Sequence, residues 1–490
     1  MRTMRKLLPI GIKECRAEFN AMKIPKSNFS EWYNEVLEAC DIIDIRYPVK
    51  GMPVYRPWGF GIMKRCFEQL ERLLDESGHE QAYFPILVPD DQFGKEAEHI
   101  KGFGGDVLWV THGGNEPLER KLAMRPTSET IMYPMFSLWV RSHADLPLRI
   151  HQTVCVYRHE TKATKPLMRG REVYWNEAHT VHATEEDCEM QIGEAVRIYK
   201  KFFELLSIPA MILKRPSYDT FPGANYSIAF DLLMPDGKTL QAGTVHNLGN
   251  KFSKVYDITY TDAHGAKHEV HQTCYGISMR CLASVIAVHG DDKGIVLPSL
   301  VAPVQAVIVP ILFGDAKEAL LTECKSLEEL LASNCIRTHV DARELRPGEK
   351  YYHWEARGVP MHIELGPKEL AAKKLVLVTR DGEKRTVDEE KVVEEARAML
   401  AAQDARLLER ARKHLQENQR SADSLKKLKE TMAGKGGFVK IGWCGEEKCA
   451  EKVEIEGSAD IMGSEHRKLE SLKCIACGKP GDAVWAAKAY

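Results

Sequence analysis

The sequence has no apolar run of about 18 residues, the length that a membrane-spanning helix needs. Its N-terminal residues contain no apolar core of the kind found in secretory signal peptides. Internal repeats and low-complexity tracts are also missing. These absences predict a globular cytoplasmic protein with no membrane partner. With 490 residues, the chain is long enough for about three domains.

Neither charge sign is in excess, because 68 basic and 70 acidic residues give a net charge of −2. A nucleic-acid partner would therefore be bound by a local basic surface and not by a cationic chain. A disulfide framework is not indicated either. Most of the 13 cysteines are scattered through helix- and strand-like segments, which fits reduced thiols.

Four cysteines stand apart near the end of the chain, as a Cys-x4-Cys pair and a Cys-x2-Cys pair. They are Cys444, Cys449, Cys474 and Cys477. Two pairs of thiolates on short loops are what a tetrahedral zinc ion needs, and four thiolates leave no open position for catalysis. Because this segment has few bulky apolar residues, a structural zinc ion would substitute for a core. Four unligated thiols remain the alternative.

Charged side chains alternate with apolar ones in two strand-like runs that flank a basic loop. The first run is Val154, Val156, Arg158 and Glu160, and the second is Trp175, Glu177 and His179. Alternation places the members of each run on one face of a strand. A buried, unpaired charge costs several kcal/mol, so the pattern predicts a site that a charged ligand completes. A solvated sheet face with ion pairs is the alternative.

The order Arg-x-Glu, basic loop and strand resembles the second signature of class II aminoacyl-tRNA synthetases. The resemblance implies that Arg158 holds the α-phosphate of ATP and that Glu160 reads the adenine amino group. It also implies that an arginine of the loop, which holds Arg169 and Arg171, reaches the outer phosphates, and Arg169 is assigned to this role. The chemistry is sound, because a planar guanidinium matches phosphate oxygens and can stabilise the charge that builds as pyrophosphate leaves.

The two other signatures of that family have counterparts on either side. Residues 60–77 carry apolar side chains at helical spacing and precede a predicted strand at 81–89 that contains Pro85. This pair resembles the first signature, which builds the dimer interface in the family and so implies a homodimer; an ordinary helix and strand is the alternative. Residues 274–280 resemble the third signature, a glycine turn and a helix carrying Arg280 to the γ-phosphate. Ser278 stands where the family usually has a second glycine.

Four short motifs match the proline-specific branch of the family, of the archaeal and eukaryote-like type. They are Arg125-Pro-Thr-Ser-Glu129, Arg158-His-Glu160, Trp175-Asn-Glu177-Ala-His179 and Gln241 through His246. By resemblance, the residues that bind L-proline are Thr127, Glu129, Arg158, Trp175, Glu177, His179, His246 and Ser278. By resemblance, the residues that bind ATP are Arg158, Glu160, Arg169, Gln241, Thr244 and Arg280, with Arg158 and Arg280 catalytic.

Each of these residues alone has a structural alternative. Thr127 is a plausible helix N-cap with Glu129 in the first turn, and Trp175 and His246 are plausible core residues. Co-occurrence of the motifs in the family's order favours the binding roles. The segment 240–249 adds a local prediction, because strict alternation would separate Gln241 from its partners in the site. We therefore expect a bulge or kink at Ala242-Gly243.

The expected fold is an α/β multi-domain protein. Residues 1–300 form a class II catalytic domain, with an antiparallel sheet and flanking helices, and 301–405 form an α/β anticodon-binding domain. Residues 406–490 form a helical linker and a small zinc-binding α+β domain. Segments 347–355 and 357–366 are the expected tRNA-reading part, and the tail is expected to bring Tyr490 near the active site.

The resemblance implies ATP-dependent activation of L-proline and transfer of the prolyl group to the 3′ end of tRNA(Pro). Mg2+ would accompany ATP, and the structural ion would be Zn2+. The interval 180–240 is too short for a hydrolytic editing domain. Three alternatives stay open: a class II enzyme for threonine or serine, a paralogue that transfers its adenylated amino acid elsewhere, and a catalytically silent RNA-binding protein.

Overall fold

The computed structural model describes residues 22–92, 107–161, 163–312, 317–465 and 470–490. Its first part contains strands β1 (Ile43–Asp44), β2 (Val54–Tyr55), β3 (Glu80–Gln81), β4 (Leu87–Pro89), β5 (Leu108–Gly113), β6 (Glu116–Met124), β7 (Leu148–Tyr157), β8 (Glu172–His182), β9 (Met211–Lys214), β10 (Tyr226–Leu233), β11 (Thr239–Gly249), β12 (Thr259–Thr261), β13 (Lys267–Glu269) and β14 (His271–Ser278). Its helices are α1 (Phe29–Ala39), α2 (Pro57–Glu76), α3 (Glu129–Trp139), α4 (Glu185–Leu205), α5 (Lys251–Tyr256) and α6 (Arg280–His289).

The centre of the molecule is an antiparallel sheet with the strand order β9-β10-β11-β14-β8-β7. β3 adds to its edge in parallel with β7. Helices α2, α4 and α6 cover one face and share one apolar core with it. This is the antiparallel sheet with flanking helices that the sequence predicts.

The predicted helix at 60–77 is observed as α2, which begins at Pro57 because proline is well suited to a first helical turn. It ends before Gly78, which adopts a positive φ of 83°. The single strand expected at 81–89 is wrong: the chain forms two short strands, β3 and β4. Pro85, lying between them, has no N–H for a ladder. The neighbouring Phe84 N–H donates to the Gln152 side chain instead.

A second sheet follows in the order β16-β15-β17-β18-β19. Its strands are β15 (Ala306–Pro310), β16 (Thr338–Val340), β17 (Met361–Leu365), β18 (Lys374–Thr379) and β19 (Lys384–Asp388), and its helices are α7 (Lys317–Ser333), α8 (Pro347–Ala356), α9 (Pro367–Ala372) and α10 (Val392–Glu417). β16, β15 and β17 are parallel, and the sheet has its own apolar core. The predicted α/β pattern is confirmed, and α10 extends from the core of this sheet into the segment expected to be a helical linker.

The expectation that residues 347–355 read tRNA is wrong for the side chains that face inward. Lys350 is fully buried and Trp354 nearly so. Both bind Asp341, through hydrogen bonds of 2.9 Å to its carbonyl and 3.0 Å to its carboxylate. Most of the 357–366 run is also unavailable to RNA, because it enters the buried strand β17. Arg357 pairs with Asp41 of the catalytic part.

The C-terminal part contains β20 (Gln419–Ser421), α11 (Leu425–Ala433), β21 (Phe438–Trp443), α12 (Glu447–Gly457), β22 (Asp460–Glu465), β23 (Ser471–Lys473) and β24 (Pro480–Ala487). Its sheet continues the catalytic sheet, since β22 pairs with β9 through Ser464 and Lys214. An apolar cluster that includes Leu428, Ile441 and Val453 fills it. The premise that this segment lacks a core is therefore wrong. Among the described residues, no helix has the length and apolar character needed to cross a membrane.

Candidate active site

The centre of the sheet borders a cavity of about 420 Å³. Every side chain that the sequence assigns to L-proline or ATP lines it: Thr127, Glu129, Arg158, Glu160, Arg169, Trp175, Glu177, His179, Gln241, Thr244, His246, Ser278 and Arg280. They come from three neighbouring strands, two helix starts and the segment between β7 and β8. The structure thus brings together residues that span more than 150 positions of the chain.

Arg158 and Glu160 do not share a strand face with Val154, because β7 ends at Tyr157. The Arg158 N–H still donates to the carbonyl of Arg171, the residue opposite it in the β7–β8 register, but the Glu160 N–H donates to the Arg158 carbonyl, so the backbone turns away from the ladder after Arg158. The Arg158 guanidinium lies 5.5 Å from the centre of the Trp175 ring. The strand-face prediction is wrong for the pair, although both side chains reach the cavity.

One end of the cavity is built on two buried carboxylates. Glu129 accepts a hydrogen bond from the Thr127 hydroxyl. Glu177 accepts hydrogen bonds from Gln152, at 2.8 Å, and from Ser128, at 2.5 Å. Both carboxylates are buried and lie beside the His179 ring, so this end suits a cationic group, which a secondary ammonium would supply.

Protonation at this end is set by the Glu177–His179 pair. Burial raises the pKa of Glu177, but hydrogen bonds from His179, Ser128 and Gln152 outweigh burial and hold this pKa below its ordinary value. Burial lowers the pKa of His179, but its hydrogen bond to Glu177 and the charge of Glu129 raise this pKa above its ordinary value. Glu177 is therefore ionised at neutral pH, and His179 keeps its proton to a higher pH than an ordinary histidine does. The other His179 nitrogen lies 3.1 Å from the Tyr133 hydroxyl.

Thr127 is not the N-cap of α3. The helix begins at Glu129, Ser128 holds the N-cap position, and its hydroxyl donates to Glu177 instead of capping the helix. The hydroxyls of Thr127 and Ser128 are thus both engaged with site carboxylates. The alternative that Thr127 only caps a helix is therefore excluded.

The wall beside the carboxylates is aromatic. His246 lies 4.9 Å from the Phe221 ring and 2.7 Å from the Ser227 hydroxyl. Burial lowers the pKa of His246 to about 3, so its ring is neutral at pH 7. The Trp175 indole N–H is buried without a hydrogen-bond partner in the described structure. A flat apolar ring would fit between these surfaces.

β11 contains the predicted irregularity. Phe230 of β10 pairs with Gly243, whereas Asp231 pairs with Gln241, so Ala242 is an extra residue. This bulge changes the strand face, and Gln241, Thr244 and His246 all line the cavity. The bulge prediction is confirmed.

The other end of the cavity is cationic. Arg280 donates to the carbonyls of Met168, at 2.8 Å, and Gln241, at 2.9 Å. Burial lowers its pKa to about 10, and the charges of Arg158 and Arg169 add to that effect. The guanidinium is still charged at pH 7. Three converging arginines form a site for a polyanion such as a triphosphate.

The predicted glycine turn of the third signature is wrong. Gly276 lies within β14, and the chain passes from Ser278 into α6 with no glycine between them. The nearest atom to a side chain added at Gly276 would be the carbonyl oxygen of Asn176, at 3.3 Å. Close strand packing, and not a turn, therefore accounts for this glycine.

The end of the chain reaches the cationic end of the cavity, as expected for Tyr490. Arg169 donates to a terminal oxygen of Tyr490 at 3.2 Å, and the Tyr490 hydroxyl donates to Asp236 at 2.6 Å. A bond from the Tyr490 N–H to the Thr239 carbonyl ties the tail to β11. The approach of Tyr490 is confirmed.

Several residues of the site were not identified from the sequence, among them Phe221, Arg215 and Asp231. Phe221 and Arg215 line the cavity, and Asp231 pairs with Arg215 behind it. No spacing motif marks them. The pairing of Arg215 with an acid sixteen positions later becomes visible only when β9 and β10 are placed side by side.

The four C-terminal cysteines lie together. Their sulfur atoms are all within 4.8 Å of one another, and those of Cys444 and Cys477 are 3.7 Å apart. Tetrahedral zinc with Zn–S bonds of about 2.3 Å places sulfurs about 3.8 Å apart, so the four residues fit this metal. Burial raises the pKa of Cys474, but backbone N–H groups, among them that of Ala476, bring it down to about 7. Burial and the neighbouring thiols instead raise the pKa of Cys449 to about 12, so a bound metal would have to displace the proton of that thiol.

A second group of donors lies inside the cavity. Ligand atoms of Glu129, His179 and Cys274 are also within 4.8 Å of one another. A metal there would have to displace Tyr133 or Glu177 from the His179 ring. It would also occupy the position that suits an ammonium group.

Comparisons with known proteins cover nearly the whole chain. Residues 109–289 match the tRNA synthetase class II core domain (G, H, P, S and T), residues 305–399 match an anticodon binding domain, and residues 425–490 match the prolyl-tRNA synthetase C-terminal domain. The proline–tRNA ligase of Methanoculleus marisnigri is 48% identical over 95% of this chain and 98% of that protein. The chain belongs to the proline–tRNA ligase family.

Other members of this family agree. The proline–tRNA ligase of Thermococcus kodakarensis is 48% identical over 92% of this chain and 95% of that protein. A solved structure of Giardia lamblia prolyl-tRNA synthetase in complex with prolyl-adenylate is similar, with a TM-score of 0.90 and 36% identity. The match covers 95% of this chain and 99% of that one. The resemblance to class II synthetases and to their proline-specific branch is confirmed.

Proposed function

We propose that this chain joins L-proline to tRNA(Pro) in two steps, with prolyl-adenylate as the intermediate. The observation that supports this most directly is the polarity of the cavity. Two buried carboxylates and a neutral aromatic wall occupy one end, and three arginines occupy the other. The carboxylate of a bound amino acid and the α-phosphate of a bound nucleoside triphosphate would therefore lie next to each other between these two ends.

At the amino-acid end, Glu129, Thr127 and Glu177 bind the secondary ammonium, with His179 holding Glu177 in place. Trp175 and His246 enclose the pyrrolidine ring. Ser278, at the end of β14, completes this end of the site. With the ammonium and the ring bound in this way, the carboxylate of proline is directed toward Arg158.

At the nucleotide end, Glu160 reads the adenine amino group, and Gln241 and Thr244 contact the nucleotide beside the bulge. Arg169 and Arg280 bind the outer phosphates. Mg2+ would accompany ATP and would neutralise part of the charge of its phosphates. The hydrogen bonds of Arg280 to two carbonyls hold its guanidinium in one orientation before ATP arrives.

In the first step, a carboxylate oxygen of proline bonds to the α-phosphorus of ATP. The bond from that phosphorus to the bridging oxygen breaks, and pyrophosphate leaves with the electron pair. Arg158 and Arg280 stabilise the charge that accumulates on the phosphate oxygens. In the second step, a hydroxyl of the terminal adenosine of tRNA attacks the carbonyl carbon and releases AMP. No side chain need act as a covalent nucleophile.

Amino-acid-dependent exchange of pyrophosphate into ATP, measured with each of the standard amino acids, tests the first step. Proline should support exchange far better than threonine or serine, because the wall formed by Trp175 and His246 suits an apolar ring. Stronger exchange with threonine would contradict the proposal. Transfer of labelled proline to tRNA(Pro) then separates this function from that of an adenylating paralogue, which would exchange but not charge tRNA.

We also propose that the enzyme is a homodimer. Several large apolar side chains are exposed on neighbouring elements at one edge of the catalytic part: Tyr83, Leu87, Trp109, Leu138 and Trp139. Tyr83 is 77% exposed. An apolar surface of this kind favours contact with a second copy. A sedimentation-equilibrium mass of one chain at micromolar concentration would contradict this.

The remaining assignments follow from the family. We propose a catalytic domain at 1–300, an anticodon-binding domain at 301–405 and a linker with a zinc domain at 406–490. The four cysteines hold a structural Zn2+ ion, whose role is to tie the loops after β21 and β23 to α12. A tRNA ligase works where translation occurs, which we take to be the cytoplasm.

A further inference from the structure

Lys165 lies in the segment between β7 and β8, and its ammonium is surrounded by aromatic rings. The nitrogen is 5.5 Å from the centre of the Phe29 ring, 5.3 Å from that of Tyr33 and 4.9 Å from that of Tyr490. Two of these rings come from α1 and the third is the last residue of the chain. A cation held by three ring faces is strongly localised when it is partly removed from water.

The backbone of Lys165 closes a tight turn over residues 165–169. The Lys165 N–H donates to the Arg169 carbonyl at 2.9 Å, and the Arg169 N–H donates back to the Lys165 carbonyl at 2.8 Å. Leu167, at the centre of the turn, has a positive φ of 63° and is buried in the main core. The Tyr33 hydroxyl donates to the Pro166 carbonyl at 3.2 Å. The turn is therefore held at its ends, its centre and its side.

The turn carries two groups of the nucleotide end of the cavity. One is the Arg169 side chain, which lines the cavity, and the other is the Met168 carbonyl, to which Arg280 donates at 2.8 Å. Any movement of the turn would displace both guanidinium groups together. Among the hydrogen bonds of the part of the chain that the structure describes, none joins Thr127, Glu129 or Glu177 to this turn.

We propose that Lys165 is a positioning residue for ATP. The three rings around the Lys165 ammonium form an aromatic cage. The ammonium held in this cage fixes the 165–169 turn and, through the turn, Arg169 and Arg280. This inference rests on the proposed function, because it assigns the two arginines to the phosphates. Lys165 itself is not among the residues that line the cavity. Its cage also makes the position of the turn depend on the docked C-terminal residue.

Lys165→Met removes the charge and keeps an unbranched apolar side chain of similar length, whereas Lys165→Arg keeps a cation suited to ring faces. In proline-dependent pyrophosphate exchange, Lys165→Met should raise KM for ATP roughly tenfold. KM for proline should stay within about twofold, since the turn carries no proline ligand. Lys165→Arg should restore most of the lost ATP affinity.

Lys214→Met is the matched control. Its ammonium lies 4.6 Å from the Tyr226 ring, a contact of the same kind outside the cavity, and its loss should leave both KM values unchanged. If Lys165→Met acted only by destabilising the fold, both KM values and kcat would change together. An unchanged KM for ATP in Lys165→Met, or failure of Lys165→Arg to restore it, would overturn the inference.

Tyr490→Leu tests the cage if Lys165→Met does not fold. It removes one ring and keeps the terminal carboxylate, and it should raise KM for ATP in the same direction. Where Lys165→Met does fold, its effect and that of Tyr490→Leu should be clearly less than multiplicative in the double variant, because both act through one contact. Fully multiplicative effects would overturn the inference. A wild-type enzyme without proline-dependent exchange would instead refute the proposed function.

Discussion

Arg215 and Asp231 form a buried ion pair in which two guanidinium nitrogens each lie 2.7 Å from a different carboxylate oxygen. The pair lies behind the bulge of β11, where Arg215 also donates to the Gln241 side chain at 3.0 Å. A fourth bond reaches the carbonyl of Met462 in β22. One arginine therefore connects the active site, the sheet beneath it and the C-terminal extension.

Arg215→Met should destabilise the protein strongly, because it leaves Asp231 as a buried charge without its partner. The expected loss in the free energy of unfolding is about 3–5 kcal/mol, measured by urea denaturation. Arg412→Met is the control, since its guanidinium is exposed and lies 3.7 Å from Glu204. Its loss should cost less than about 1 kcal/mol. Equal effects of the two substitutions would contradict the role given to the buried pair.

Arg158→Ala should lower proline-dependent exchange by about 10² to 10³, the usual effect of removing one preorganised charge donor. Arg158 lies between the two ends of the cavity, so both substrates should bind less well. Arg280→Ala should lower the rate similarly but raise KM for ATP more than KM for proline. Arg72→Ala, on the exposed face of α2, serves as the control. Near-normal exchange by Arg158→Ala would refute its assignment.

Spacing predicted the parts of the site whose residues are close in sequence. Alternation in 172–182 placed Trp175, Glu177 and His179 correctly because β8 is a regular strand. Alternation failed for Arg158 because β7 ends at Tyr157, one residue before it. Where a strand ends depends on its pairing with the neighbouring strand, and alternation in the sequence does not show this. Alternation also led to the prediction of the bulge. A regular strand would place Gln241 on the opposite face from Thr244 and His246, whereas the resemblance places all three in one pocket.

What the sequence could not provide depends on contacts between distant segments. Three features join elements that are far apart in the chain or that lack a motif. They are the Arg215–Asp231 pair, the cage of Lys165 and the continuation of the catalytic sheet through β22. The same reason explains the error at α8, where Asp341 draws Lys350 and Trp354 inward. Aromatic and basic composition alone did not distinguish a buried face from an RNA-binding one.

Asp404 should make stability fall as pH rises from about 4 to about 6. Burial in α10 raises its pKa to about 6, although both the backbone and the hydroxyl of Ser299 donate to it. The folded state thus holds the proton more tightly than the unfolded state, in which the pKa is about 3.9. Ionisation above this window should cost about 2–3 kcal/mol.

The difference in unfolding free energy between the wild type and Asp404→Asn, followed from pH 4 to pH 7 by urea denaturation, isolates this effect. Asparagine does not ionise, so the variant should gain relative to the wild type as pH rises. A difference that is constant with pH would show that Asp404 ionises in the folded state as readily as in the unfolded chain.

Alanine should be activated at a measurable rate and not removed by this enzyme. A pocket built for an apolar ring discriminates against smaller side chains by only roughly 10 to 200-fold per methylene. Between β8 and β11 the chain forms α4, β9, a short 3-10 turn and β10, with no inserted domain. Preformed alanyl-tRNA(Pro) should therefore be as stable with the enzyme as without it. Enzyme-dependent deacylation would contradict this reading.

The freshly purified protein should contain one zinc ion per chain, bound by Cys444, Cys449, Cys474 and Cys477. Metal analysis checks the stoichiometry, and a protein without zinc would refute the assignment. Cys474→Ser should lose the metal, because a hydroxyl is a poor replacement for a thiolate. The exposed Cys335, outside the cluster, provides the control Cys335→Ser, which should keep it.

Loss of zinc should loosen the C-terminal part without abolishing the active site. Amide hydrogen exchange should rise within residues 440–480, most of all in the loops that carry the cysteines, because the apolar cluster around Ile441 and Val453 still holds the sheet. Activity should fall only through the tail, since Tyr490 follows β24 and contacts Arg169. Cys474→Ser should therefore raise KM for ATP and leave KM for proline nearly unchanged. A larger effect on proline would mean that the metal supports the catalytic sheet itself, through the pairing of β22 with β9.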